Sequence, residues 1–297
     1  FASALSAEEI KGDKTAGKTN ARMLAKSGMA DDGPTSTFFN INSWKIQMEH
    51  QGFFQWNGTS HGSAGNYPKG MGSVIFAEGI LWGVKATDKY GVKENGEILT
   101  DGSGSGLPRI RVNGSMYNTG LKAGKVLRDA NGRIKTSGYS ENYRDQQIWR
   151  VRKDWNTGDL TVDASILRDI AVADVTEAMI AADKAQYEKD WKNWPTDEGA
   201  PYDDVDGDGA YTPGTWNEET GSWSGDIPGI PGSDQTVWTV ANDLPDEYTE
   251  SGVVTSVSED GWGSPPVGFE MQLTLWGYDF PFSNPISSMM FKRARMI

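Results

Sequence analysis

The sequence predicts a mostly β protein: an antiparallel, sandwich-like domain with one long helix and an Asp/Gly-rich loop inserted between strands. Three observations lead there. Short runs alternate apolar and polar residues, most clearly Phe269, Met271, Leu273 and Leu275 against Glu270, Gln272 and Thr274. Turn formers are dense: 36 glycines in 297 residues, well above the usual ~7%. Only one stretch, 175–194, carries helical patterning of useful length.

Taken in order, residues 1–37 are polar and rich in Ala, Lys and Gly, and read as an N-terminal arm. The arm contains Gly12-Asp13-Lys14-Thr15-Ala16-Gly17-Lys18-Thr19, a formal phosphate-loop pattern. That mechanism needs a buried strand before the loop, and residues 4–11 do not read as one. Residues 38–297 read as the β-rich domain, with the helix and loop inserted at about 160–232. The stretch 38–48 reads as a strand with Trp44, Ile46 and Met48 on one face. Gly58-Thr59-Ser60-His61-Gly62 matches a nucleophile elbow formally, but no helix can start behind it. Val74 to Val84 reads as one or two buried strands, bent at Gly79. Asn113-Gly114 predicts a two-residue hairpin turn, and Asp129 to Gly132 predicts another turn. Ile148 to Val151 reads as a short strand. Asp174 with Glu177 forms a capping-box pattern that opens a helix over 175–194, closed by Pro195. Further strands are expected at 235–240, 267–278 and 289–297. A chain that closes on an alternating strand suggests that the polypeptide continues, or that the strand pairs with another chain.

The inserted loop carries the most chemistry. Asp204, Asp206 and Asp208 alternate and Gly209 follows, the D-x-D-x-D-G opening of a calcium loop. Carboxylates at this spacing converge on a hard cation, and the glycine turns the next carbonyl, that of Ala210, toward it. The twelfth position is Thr215 rather than a bidentate glutamate, so the loop is not a complete EF-hand. Asp203, Asp197, Glu218, Glu219 or water remain as sources of further oxygens. The plainer reading is a solvated Asp-Gly turn with no ion.

Net charge is −13, which argues against nucleic acid and anionic membranes as partners. There is no cysteine, which does not exclude export for a domain of this size. The chain opens at Phe1 rather than Met and reads as processed or truncated. No stretch has the ~20 apolar residues of a membrane span.

Several segments together resemble a known group. They are Tyr67-Pro68-Lys69-Gly70, Ala77 to Gly83, Gly120 to Leu127, Ile148 to Trp155, Asp190 through the aspartate loop, Asp234 to Trp238, and Gly263 to Gly268. In this order they are similar to the large secreted surface proteins of Bacteroidota and related phyla, many exported by type IX secretion. The resemblance covers roughly residues 38–297. It implies an extracellular or outer-surface location and no particular reaction. Thr215 departs from the acid usual in that group.

Three functions follow as expectations. The first is a calcium-stabilised structural subunit that self-associates, or joins other surface proteins, through its arm and end strand. The second is a glycan- or ligand-binding module using some of the 12 tryptophans; the plainer reading places Trp44, Trp82, Trp149 and Trp238 in the core. The third is a glycosidase-like enzyme with a pair such as Glu78 and Glu270, and no motif favours it. The expected metal ligands are therefore Asp204, Asp206, Asp208 and Ala210, with no catalytic residues.

Overall fold

The computed structural model describes residues 33–52, 56–57, 62–63, 65–86, 109–115, 121–244 and 268–297. Within them the protein is mostly β, built from several antiparallel sheets. The phosphate-loop pattern and most of the elbow pattern lie outside the described residues.

The stretch expected to be one strand is a hairpin of β1 (Ser36–Phe39) and β2 (Lys45–Glu49). The chain turns between them because Gln235 Oε1 accepts from both Asn40 N–H and Ile41 N–H, at 2.8 and 3.1 Å. Asn42 Oδ1 then accepts from Trp44 N–H at 3.1 Å. Ser36 and Thr37 thus belong to the first strand rather than to an arm. β3 (Trp56–Asn57) and β4 (Gly62–Ser63) form a small ribbon. β5 (Gly65–Asn66) and β6 (Ser73–Ile75) complete a four-stranded sheet in the order β1-β2-β5-β6.

The run 74–84 is broken at Gly79, but it is not a buried pair of strands. Val74, Phe76 and Leu81 are exposed; Trp82 is buried in the core and the partly buried Ile80 packs against it. β6 is an edge strand of the first sheet, which leaves Val74 in solvent. β7 (Ile80–Ala86) pairs with β8 (Arg109–Ser115) along its whole length. Asn113-Gly114 therefore lies inside β8, opposite Trp82 and Leu81, and makes no hairpin turn. A full ladder of cross-strand bonds outweighs the local turn preference.

Next come β9 (Lys122–Ala123) and the hairpin of β10 (Val126–Arg128) and β11 (Ile134–Tyr139). Its turn is the expected one: Asp129 Oδ1 accepts from Asn131 and Arg133 N–H, and Gly132 takes φ 77°. After α1 (Tyr143–Gln146), β12 (Trp149–Arg152), α2 (Thr161–Arg168) and α3 (Glu177–Lys192) follow. The insertion holds the short strands β13 (Tyr202–Asp203), β14 (Thr215–Asn217), β15 (Ser222–Ser224) and β16 (Ile227–Pro228). β17 (Gln235–Asn242), β18 (Glu270–Gly277) and β19 (Phe291–Met296) close the order.

The central sheet has five strands, β12-β17-β18-β19, with β9 also on β17. One face packs Val237, Met271, Leu273 and Leu275 against Phe39, Ile46 and Met48 of the first sheet. The other face packs Trp149, Val151, Trp238 and Val240 against Trp191 and Trp194. Gln272 and Thr274, the polar half of the β18 alternation, are therefore buried too. Gln272 Nε2 reaches the Glu198 carbonyl at 2.5 Å. A clean polar face here marks a layer of polar packing rather than solvent.

The helix starts two residues later than the capping-box reading. Asp174 ends a 3-10 turn (Val172–Asp174), and Thr176 is the N-cap, accepting from Met179 N–H at 3.3 Å. Its buried face is Asp183, Tyr187, Asp190 and Trp191, whereas Ala178, Ala181, Ala182 and Ala185 are exposed. Partners select that face. Arg168 grips Asp183 with bonds of 2.6 and 2.7 Å, and Tyr187 donates to Asp163 at 2.9 Å. Asp163 also pairs with Arg150 and accepts from Asn40 Nδ2 at 2.7 Å, so α2, α3, β12 and the β1 end share one buried network.

Candidate metal centre

The aspartate loop begins where β13 ends. β13 pairs with β16, so both ends of the insertion are pinned to each other. Gly207 and Gly209 take φ 74° and 76°, left-handed values that only glycine adopts freely. These two turns fold the intervening side chains to one side. Asp204 Oδ1 accepts from Gly207 N–H at 2.8 Å, and its Oδ2 from Gly209 N–H at 2.9 Å. Asp206 accepts from Asp208 N–H at 3.2 Å and Asp208 from Ala210 N–H at 2.7 Å.

The outcome is convergence. Each of Asp204, Asp206 and Asp208 offers an oxygen lying within 4.8 Å of the others, all exposed to solvent. Among the described residues no other such group of His, Cys, Asp or Glu occurs. The donors are hard, anionic oxygens, the set that suits calcium and not a soft metal. The negative field reaches further: burial and then Asp204 hold the Tyr202 phenol above its ordinary pKa. Ala210 donates its N–H to Asp208.

The other proposed oxygen donors do not join the three. Asp197 is held by Arg144, at 2.6 and 3.2 Å, which keeps its carboxyl below the usual range. Thr215 lies in β14, its hydroxyl 3.0 Å from that of Ser224. Glu218 and Glu219 occupy the β14–β15 turn, closed by Asn217. Asp203 is in β13, paired with Ile227. Water and the Ala210 carbonyl remain as the further oxygens a cation there would use.

Sequence reasoning missed Asp226. It is fully buried beneath the loop. Its two carboxylate oxygens accept from Val205 N–H at 2.9 Å and Thr212 N–H at 2.7 Å, and its backbone bonds both Thr212 and Gly214. It clamps both sides of the loop from within. A lone aspartate beyond the hairpin has no spacing signature, so only the fold reveals it.

The loop is also fastened to the helix. Tyr211 donates to the Trp191 carbonyl at 2.5 Å, and Trp191 Nε1 to the Gly214 carbonyl at 3.0 Å. Trp223 stacks on Trp191 at 4.3 Å, and Trp155 and Trp216 lie around it at 6.3 and 5.4 Å. The tryptophans expected in the core are there, Trp44 being half-buried, but this second aromatic group was not foreseen.

The imagined glycosidase pair does not form. Glu78 pairs with Lys292, which sits opposite Leu275 on the sandwich side of the central sheet. Glu270 shares the opposite face with Gln272 and accepts from Val126 N–H at 3.0 Å. The two carboxyls point to opposite faces of one sheet. Among the described residues no helix is long and apolar enough to cross a membrane. Compared with known proteins, the chain matches no family model, no curated protein and no solved structure.

Proposed function

We propose that this chain is a calcium-stabilised structural module of an extracellular or outer-surface assembly. The observation that carries the reading is the convergence of Asp204, Asp206 and Asp208 on a loop clamped by Asp226. Three exposed carboxylates at this distance repel one another until a divalent cation sits between them. Such a site, completed by water and the Ala210 carbonyl, has the character of the 10⁻⁴–10⁻³ M sites that are filled outside cells. The resemblance to secreted surface proteins of Bacteroidota supports the same location. Calcium acts here as a rivet: it holds the insertion against α3 and the central sheet.

Assembly is assigned to the β19 edge. β19 pairs only with β18 among the described residues. Glu270 and Ile297 exchange both backbone bonds, so the groups of Arg295 and Arg293 also face β18, and those of Ala294 and Met296 face outward. Two β19 edges would oppose Lys and Arg to Lys and Arg, which disfavours a symmetric contact. A head-to-tail contact, with the arm of one copy along the β19 edge of the next, avoids this repulsion. Light scattering in calcium and then in EDTA tests the reading. Large regular species that shrink in EDTA are expected; a monomer in both conditions would remove self-assembly from the account.

A further inference from the structure

Beside the insertion lies a cleft of about 550 Å³ that the assembly reading does not use. One wall is the β14–β15 hairpin, where Trp216 and Trp223 are direct cross-strand partners. The other is the end of the central sheet, with Lys153, Asp154, Asp234 and Asp279. The volume falls within the range of small-ligand sites, and the lining mixes rigid aromatic surface with a few polar groups.

Each part is held in place before any ligand arrives. Trp223 is stacked on Trp191, so its ring cannot swing. Trp216 meets it edge-on at 65° and is half-buried, with ring surface left to solvent. Arg152 holds both oxygens of Asp154, at 2.9 and 3.0 Å. Asp234 accepts from Asp279 N–H at 2.7 Å, and its carbonyl accepts from Lys153 N–H at 2.9 Å. Next to the cleft, Trp155 Nε1, Trp223 Nε1 and Asn156 Oδ1 are buried without a protein partner, a polar shortfall of the kind found where water or ligand groups bind.

We propose that this cleft binds an uncharged polysaccharide chain. A pyranose ring offers an apolar C–H face to an indole and a rim of hydroxyls to carboxylates and an ammonium group. Three carboxylates against one lysine select against uronic or sulfated sugars, in line with the net charge of −13. None of the three loop carboxylates lines the cleft, but Val205 of that loop does, so the binding titrations are run in calcium and read apart from the light-scattering result.

The test is titration of cellohexaose, laminarihexaose and mannohexaose, followed by tryptophan fluorescence and calorimetry, with hexagalacturonic acid as the acidic comparison. At least one neutral hexamer is expected to bind saturably. Trp216→Ala weakens that binding tenfold or more, and Ser222→Trp, which fills the cleft from an exposed position without touching the core, does the same. The acidic hexamer binds at least tenfold more weakly. Failure of all three neutral sugars to bind overturns the proposal. So does unchanged affinity in Ser222→Trp, or tighter binding of the acidic hexamer. Should Trp216→Ala lose its native melting transition, the Ser222→Trp result decides alone.

Discussion

Asp163 and Asp190 are both buried carboxyls on helices, yet their surroundings drive them in opposite directions. Burial raises Asp163, but Arg150, Arg152 and Asn40 outweigh it and hold the group below its usual range. Removing that charge leaves the buried Arg150 uncompensated, while Arg152 keeps only Asp154. Asp163→Asn is therefore expected to cost about 3–5 kcal/mol, read by urea unfolding. Burial dominates at Asp190 and pushes it up to about 7, against bonds from Arg150 N–H and Gln186. In the unfolded chain this proton leaves near 3.8, so between those values the folded state binds the extra proton. Its contribution is complete below about pH 4 and is lost as pH rises through about 7. An amide satisfies the same two neighbours without a charge: its oxygen accepts from Arg150 N–H, and its NH2 donates to Gln186 once that side chain turns its oxygen inward. Asp190→Asn is thus expected to flatten the fall in stability between pH 4 and 7, and to match or exceed the wild type at pH 8. A fall as steep in the variant as in the parent would contradict this assignment.

At the level of elements, α3 and the metal loop behave as one unit because Trp191 serves both. Its ring packs against the central sheet, its N–H caps the loop at Gly214 and its carbonyl anchors Tyr211. Trp191→Ala should cost about 3–5 kcal/mol and speed amide exchange in residues 204–214 more than in β17. Asp226→Ala should weaken calcium binding about 10–100-fold although Asp226 is not among the three converging residues, because it positions the loop that carries them. Calcium calorimetry reads this directly. The convergence of the three aspartates was legible in the sequence because its spacing is local: alternating carboxylates with Gly207 and Gly209 between and after them determine the turn by themselves. Asp226 was illegible because it meets the loop through the fold. The same distinction explains the strands. β18 and the Asp129 turn could be read from neighbouring residues, whereas Asn113-Gly114 looked like a turn until β7 supplied its partner. The helix was found, but its buried face was not, since acids rather than alanines face inward.

For the whole molecule, the central sheet is the keel: one face makes the sandwich and the other carries helix and loop. The mostly β, sandwich-like class was readable from alternation and turn density. The sheet buried on both faces was not, since Gln272 and Thr274 imitate a solvated side. Assembly belongs to this scale as well. Ala294→Pro removes one outward N–H from β19 and leaves the inward bonds of Arg293 and Arg295 intact. It is expected to abolish large species in light scattering while the melting temperature stays within a few degrees of the parent's.

The most direct measurement is calcium titration of metal-stripped protein, wild type beside Asp206→Asn, with thermal unfolding at each concentration. The variant keeps a side-chain oxygen for the Asp208 N–H and removes only a charge. The account predicts one saturable site in the wild type. At a hundredfold excess over Kd it gains about 2.7 kcal/mol, or roughly 5–10 °C in melting temperature, and the variant loses most of that shift. A wild type that melts at the same temperature in calcium and in EDTA would contradict the claim that Asp204, Asp206 and Asp208 rivet the fold.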